Sequence, residues 1–191
     1  MKTVLCMLPV EPRHKEKLER AAGEGCRFIY AGEDGATAEN IAEANIILGM
    51  PDPALIKASE NLELLQLNIA GADRYVKPGV LAAKTKLANS TGAYSKAVAE
   101  HGAAMLFMLQ KKLHLYRDAQ KKHEWTDFGT VTSITDATVL VVGLGDIGCH
   151  FAGIVRALGA YVIGVKMGPG AKPELVSERY LKENPDQQPP P

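Results

Sequence analysis

The chain has 191 residues, 46% of them hydrophobic, enough for one ordinary domain or two small ones with a buried core. Its 22 Lys+Arg balance its 22 Asp+Glu, so the zero net charge gives no electrostatic reason to expect nucleic acid or an anionic membrane surface as a partner. Cys6, Cys26 and Cys149 form no CxxC pair and no zinc-like Cys/His spacing, which points to reduced thiols, no metal site and a cytoplasmic setting.

The opening stretch has one lysine and a short apolar run ended by Pro9, too short for a signal sequence or a membrane span. Residues 3–8 are a compact apolar run and 14–22 have helical spacing, so a strand and then a helix are predicted. The pattern repeats: strand 26–30, helix 36–44, strand 45–49 ended by Gly49, Pro51 and Pro53, and a fourth strand over 62–67. Short apolar strands alternating with helices are the pattern of a parallel sheet covered on both faces, because crossover helices shield both sides from water. Residues 1–94 therefore read as one α/β domain. In such sheets ligands sit beyond the carboxyl ends of the strands, which singles out the loop Asn68–Asp73, where Gly71 allows backbone amides to approach an anion.

Residues 95–122 place Val98, Met105, Leu109, Leu113 and Tyr116 on one helical face, with Ser95 as a candidate N-cap and basic residues late in the segment. One long connecting helix, packed through that apolar stripe, is predicted over 95–125. After a polar stretch, Thr138–Val142 reads as a buried strand running directly into Gly143-Leu144-Gly145-Asp146-Ile147-Gly148, followed by a helix over 149–158, Gly159 as a stop, and a second strand over 161–165.

A GxGxxG sequence alone is weak, but between a strand and a helix of one βαβ unit it is a dinucleotide fingerprint. Gly143 would make the tight turn, Gly145 would let the backbone reach the pyrophosphate, and Gly148 would let helix and strand pack closely. Asp146 and Ile147 lie at the helix N-terminus, where the phosphates would sit. The second strand of such a unit normally ends in an acid that binds the ribose hydroxyls of NAD. Lys166 stands there instead. It is compatible with the 2′-phosphate of NADP and equally with a solvated strand end, so NAD and NADP both stay open.

The loop Asn68–Asp73, the segment Asn89-Ser90-Thr91-Gly92 leading to Ala97-Val98-Ala99-Glu100-His101, and the fingerprint Val141–Gly148 together resemble the D-isomer-specific 2-hydroxyacid dehydrogenases over roughly residues 1–170. The resemblance implies a flavodoxin-like substrate domain (1–94) and a Rossmann unit (126–176) facing each other across a cleft. It implies that the amides around Ala70, Gly71 and Ala72 hold the carboxylate of a small 2-hydroxy or 2-oxo acid. It places Val98 near the nicotinamide and the pyrophosphate on Gly143 to Ile147. It also implies a homodimer. The family's catalytic Arg, Glu and His would fall later than this sequence reaches, and His14, His101, His114, His123 and His150 do not match that position. No catalytic residue is therefore assigned, and no turnover is expected of this chain alone. Residues 177–191 read as a polar, proline-rich tail, leaving a two-strand Rossmann unit with an open second-strand edge. The alternative is a non-catalytic nucleotide-binding or self-associating module.

Overall fold

The computed structural model describes residues 1–57, 59–166 and 173–181, divided into two units, Met1–Thr91 and Gly92–Pro191. In the first, the apolar runs become the strands β1 (Lys2–Cys6), β2 (Cys26–Tyr30), β3 (Ile46–Leu48), β4 (Leu64–Gln66) and β5 (Lys86–Ala88). They form one parallel sheet in the order β2-β1-β3-β4-β5, the flavodoxin-like arrangement expected. The fifth strand is an addition to the four predicted. Its three residues, Lys86-Leu87-Ala88, carry no apolar run to reveal it, and pairing with β4 makes it a strand.

Helices α1 (Pro12–Ala22), α2 (Ala38–Glu43) and α3 (Pro53–Ile56) connect these strands. Each starts on sequence-encoded signals: Pro12 follows a capping box between Glu11 and His14, Thr37 accepts the Asn40 amide, and Asp52 accepts the Ala54 amide. Leu5, Ile41, Ile47, Ile56, Leu62, Leu65 and Leu67 make the buried core, drawn from β1, β3, β4 and its flanking residues, and from α2 and α3. Full burial of side chains of this size contributes about 1.5–3 kcal/mol each before chain entropy is set against it.

The second unit contains α4 (Ser95–Gln110), α5 (Leu113–Lys121), β6 (Thr138–Val142), α6 (Asp146–Ala157), β7 (Tyr161–Lys166) and β8 (Glu178–Leu181). Its parallel sheet runs β6-β7-β8. Two expectations are corrected here. A third strand does form, within a stretch read as tail, and it pairs with the β7 edge that was expected to be open; residues 182–191 lie outside the described residues. An edge strand needs backbone partners on one side only, so a polar segment can supply it. In addition β6, read as fully buried, buries only Val141 well, while Leu140 and Val142 are exposed at the other edge of the sheet.

The long helix is broken. Lys112 adopts a left-handed conformation (φ +54°) between α4 and α5, so the expected single helix over 95–125 becomes two, with no glycine or proline to announce the break. Tyr94, not Ser95, is the N-cap. The packing face differs from the prediction as well. Ser95, Ala99 and Ala103 are buried, and Gly102 lies against the Phe151 ring of α6, where an added Cβ would meet ring carbons at 3.4 and 3.5 Å. Helix α4 thus approaches α6 through small side chains, with Leu106 and Phe107 half-buried against the core of this unit, while Val98, Met105, Leu109, Leu113 and Tyr116 lie exposed. Ile134, Val141, Leu144, Ala152, Val155 and Val162 form the core of this unit.

Candidate functional site

The loop after β4 is held by the chain that follows β5. The Ser90 amide donates to the Ile69 carbonyl (3.0 Å), the Ser90 hydroxyl to the Leu67 carbonyl (2.9 Å), and Asn89 Nδ2 to the Ala70 carbonyl (2.8 Å). The Ala72 carbonyl accepts the amides of Tyr75 (2.9 Å) and Val76 (3.2 Å), turning the chain away behind the loop. The carbonyls of Ala70 and Ala72 are thereby occupied within the protein. The amides of Ala70, Gly71 and Ala72 donate to no backbone acceptor among the described residues, and Ala70 and Gly71 are exposed. Successive backbone amides without backbone acceptors are the kind of arrangement that can receive an anion. Tyr75 anchors the rear: it is 2% exposed and its hydroxyl donates to the Pro51 carbonyl at 2.9 Å. Burial pushes its phenol above the ordinary value of 10.0, so it stays neutral.

The glycine loop of the second unit is built on β7. Gly143 and Leu144 both donate their amides to the Val165 carbonyl, at 2.8 and 3.2 Å, which fixes the loop at the carboxyl end of the sheet. Gly143 has φ +103°, a backbone that glycine alone adopts without strain. At Gly148 an added Cβ would lie 2.0 Å from the Gly143 carbonyl oxygen, so only glycine lets α6 start this close to β6. Gly145 differs from both. Its φ of −82° and ψ of −159° suit any residue, and an added Cβ would meet nothing within 4 Å. The fold does not demand glycine there. What its missing side chain leaves is open space over the N-terminus of α6, where the first amides of the helix have no partner in the preceding turn and the helix dipole favours a negative group.

Asp146 and Ile147 occupy the first turn of α6, both exposed. The Asp146 carboxylate accepts the hydroxyl of Ser95, and His150 Nδ1 lies 2.9 Å from the Asp146 carbonyl oxygen. The role of Ser95 was missed in the sequence, where it read as a helix cap. A residue pairing 51 positions away leaves no local signal. Val98 lies in the first turn of α4 and is exposed. Lys166 ends β7, directly after the Val165 that holds the glycine loop, and is half-buried. Of the histidines, His14, His114 and His150 engage backbone groups near their own positions in sequence. Among the described residues no cluster of His, Cys, Asp or Glu could hold a metal ion, and no helix is long and apolar enough to cross a membrane.

These features fit a dinucleotide: at Gly145 a Cβ would meet no protein atom within 4 Å, the first amides of α6 have no backbone acceptor among the described residues, and the loop is hydrogen-bonded to β7. Comparison with known proteins agrees. The family model for the D-isomer specific 2-hydroxyacid dehydrogenase NAD binding domain matches residues 103–184. D-3-phosphoglycerate dehydrogenase of Synechocystis sp. is 29% identical over 106 residues, 55% of this chain and 19% of that protein. A D-isomer specific 2-hydroxyacid dehydrogenase family protein from Aeromonas salmonicida superposes with a TM-score of 0.78 at 24% identity, over 94% of this chain and 58% of that one. The NADPH-dependent glyoxylate/hydroxypyruvate reductase of Sinorhizobium meliloti, solved with NADP and sulfate, gives 0.73 at 22% identity, over 95% of this chain and 57% of that one. This chain therefore spans little more than half the length of those two solved chains.

Proposed function

Taking residues 103–184 as matching the NAD-binding domain of the D-isomer specific 2-hydroxyacid dehydrogenases, we propose that the chain derives from an NAD(P)-dependent oxidoreductase of small D-2-hydroxy acids. The observation that carries this is Gly145, a glycine that neither backbone geometry nor packing requires, placed where a pyrophosphate would approach the amides of α6. Gly143 and Gly148 shape the loop, Asp146 and Ile147 present the first helical amides, Lys166 lies at the adenosine end, and Val98 borders the nicotinamide.

The second half of the proposal is the loop of the first unit. The amides of Ala70, Gly71 and Ala72 would hold the carboxylate of a 2-hydroxy or 2-oxo acid, with Asn89 fixing their orientation through the Ala70 carbonyl. The bound cofactor supplies or accepts the hydride, while the protein binds and orients. Residues 1–94 then serve the acid and 126–176 the nucleotide. No residue of the chain is assigned the proton transfer, so the reading covers binding of the coenzyme and the acid. Self-association as a homodimer is part of the same reading, supported by the exposed stripe on α4 and α5 and by the fully exposed Trp125.

The test is a thermal-shift titration of the chain with NADH and NADPH. A ligand bound only by the folded state adds RT ln(1 + [L]/Kd), about 2.7 kcal/mol at a hundredfold excess over Kd. A rise in Tm with either coenzyme is expected, followed by a further rise on adding a 2-oxo acid. No shift with either coenzyme defeats the proposal.

A further inference from the structure

Lys166 occupies the position that decides between the two coenzymes, and three observations bear on which one it selects. The first is its place. β7 is the central strand of the sheet, paired with β6 on one side and β8 on the other, and Lys166 is its last residue. The preceding carbonyl, that of Val165, accepts the amides of Gly143 and Leu144, so Lys166 begins where the glycine loop is fastened. The second is its burial. Lys166 is half-buried as a residue, with its stem able to lie along the protein while its charged end reaches out. The third is charge: among the described residues no carboxylate forms an ion pair with Lys166. The sequence from 166 to 173 contains no acid at all, and the first carboxylate after the strand is Glu174.

In a βαβ nucleotide unit the end of the second strand faces the adenosine ribose. A carboxylate there accepts the ribose hydroxyls and repels a phosphate, while a cation has no use for the hydroxyls and attracts the phosphate. At a half-buried residue the screening is weaker than in bulk water, so an ammonium with no ion-pair partner among the described residues gains more from an anion there than a fully solvated one would. Resting on the nucleotide reading above, we propose that Lys166 contacts the 2′-phosphate and makes NADP(H), rather than NAD(H), the coenzyme of this chain.

The experiment is calorimetric titration of the chain with NADPH and NADH, and with their adenine halves 2′,5′-ADP and 5′-AMP, which report on this end alone. We expect NADPH to bind at least about tenfold tighter than NADH and 2′,5′-ADP to outbind 5′-AMP similarly, the size of one charge-assisted contact. Lys166→Met keeps the apolar stem and should bring both ratios near one by weakening only the phosphorylated ligands. Lys166→Asp should invert the preference, with NADH binding retained as proof that the variant is folded. Equal binding of NADH and NADPH by the unaltered chain, or a preference that survives Lys166→Met, overturns the Lys166 proposal and leaves the nucleotide site standing. Binding of neither coenzyme overturns the nucleotide reading and this inference together.

Discussion

Ser95 donates its hydroxyl hydrogen to the carboxylate of Asp146, tying the first turn of α4 to the first turn of α6. The serine is almost fully buried, whereas the carboxylate is partly open to solvent. The bond draws a negative group toward α4 at a helix start proposed to receive an anion. Ser95→Ala removes the donor and should lower unfolding stability by about 1 kcal/mol. It also frees the carboxylate to swing over the α6 amides, so nucleotide affinity should fall about threefold through like-charge repulsion. Urea denaturation reads the first effect and coenzyme titration the second. Unchanged affinity in the variant would mean that the orientation of Asp146 does not govern nucleotide binding.

Gly145 and Gly148 should respond differently to the same added methyl. In Gly148→Ala the Cβ would lie 2.0 Å from the Gly143 carbonyl oxygen, so either α6 or the loop must shift, at about 2–3 kcal/mol. In Gly145→Ala the Cβ meets no protein atom, and the fold should keep its stability to within about 0.5 kcal/mol. The methyl nevertheless enters the space proposed for the pyrophosphate, and coenzyme binding should weaken at least about tenfold, or ~1.4 kcal/mol. Thermal melts with and without coenzyme separate the two variants. An alanine at 145 that leaves binding intact would show that the space is not used.

The strand, glycine loop and helix from Thr138 to Ala157 were legible because each signal is local: an apolar run, glycines where the backbone or the packing excludes a Cβ, then helical spacing. The flavodoxin-like sheet was legible for the same reason in its first four strands. Lys86–Ala88 and Glu178–Leu181 were not, since both become strands through backbone pairing with a neighbour distant in sequence. The helix stripe from Val98 to Tyr116 teaches a different lesson. Periodicity says which residues share a face, but not whether this chain covers that face. Here α6 takes the face of α4 that carries the small residues Ser95, Ala99, Gly102 and Ala103, with Leu106 and Phe107 packed against the core of the same unit. Likewise, the spacing of the site residues was visible, but the bonds that hold them, Asn89 to Ala70 and Ser95 to Asp146, were not.

The uncovered stripe yields a prediction about association. Leu109 and Leu113 are more than half exposed on consecutive helices, and Trp125 follows in an irregular segment with its ring in water. Isolated exposed leucines are ordinary, but a contiguous set beside an exposed tryptophan marks an interaction surface. If a second copy covers it, light scattering should give a dimer at micromolar concentration and Trp125, the only tryptophan, should emit at a shorter wavelength than a solvated indole. The double variant Leu109→Glu, Leu113→Glu should shift both readings to those of a monomer. A dimer that survives the variant uses another face.

Tyr75 should make stability depend on alkaline pH. Burial favours its neutral phenol in the folded state, so its pKa is raised above the ordinary 10.0. Below pH 10 the phenol is protonated whether the chain is folded or not, and the full contribution is present. As pH climbs through and beyond 10 the unfolded chain releases its proton while the folded one holds it, and stability declines until the folded group also ionises. Tyr75→Phe removes the titration and leaves the Pro51 carbonyl without its donor, so it should cost about 1–2 kcal/mol at pH 8. The gap between the two proteins should narrow between pH 8 and 11 as the wild type loses what the variant no longer has. Urea midpoints at the two pH values provide the measurement, and a gap that stays constant would mean that the Tyr75 phenol titrates alike in the folded and unfolded chain.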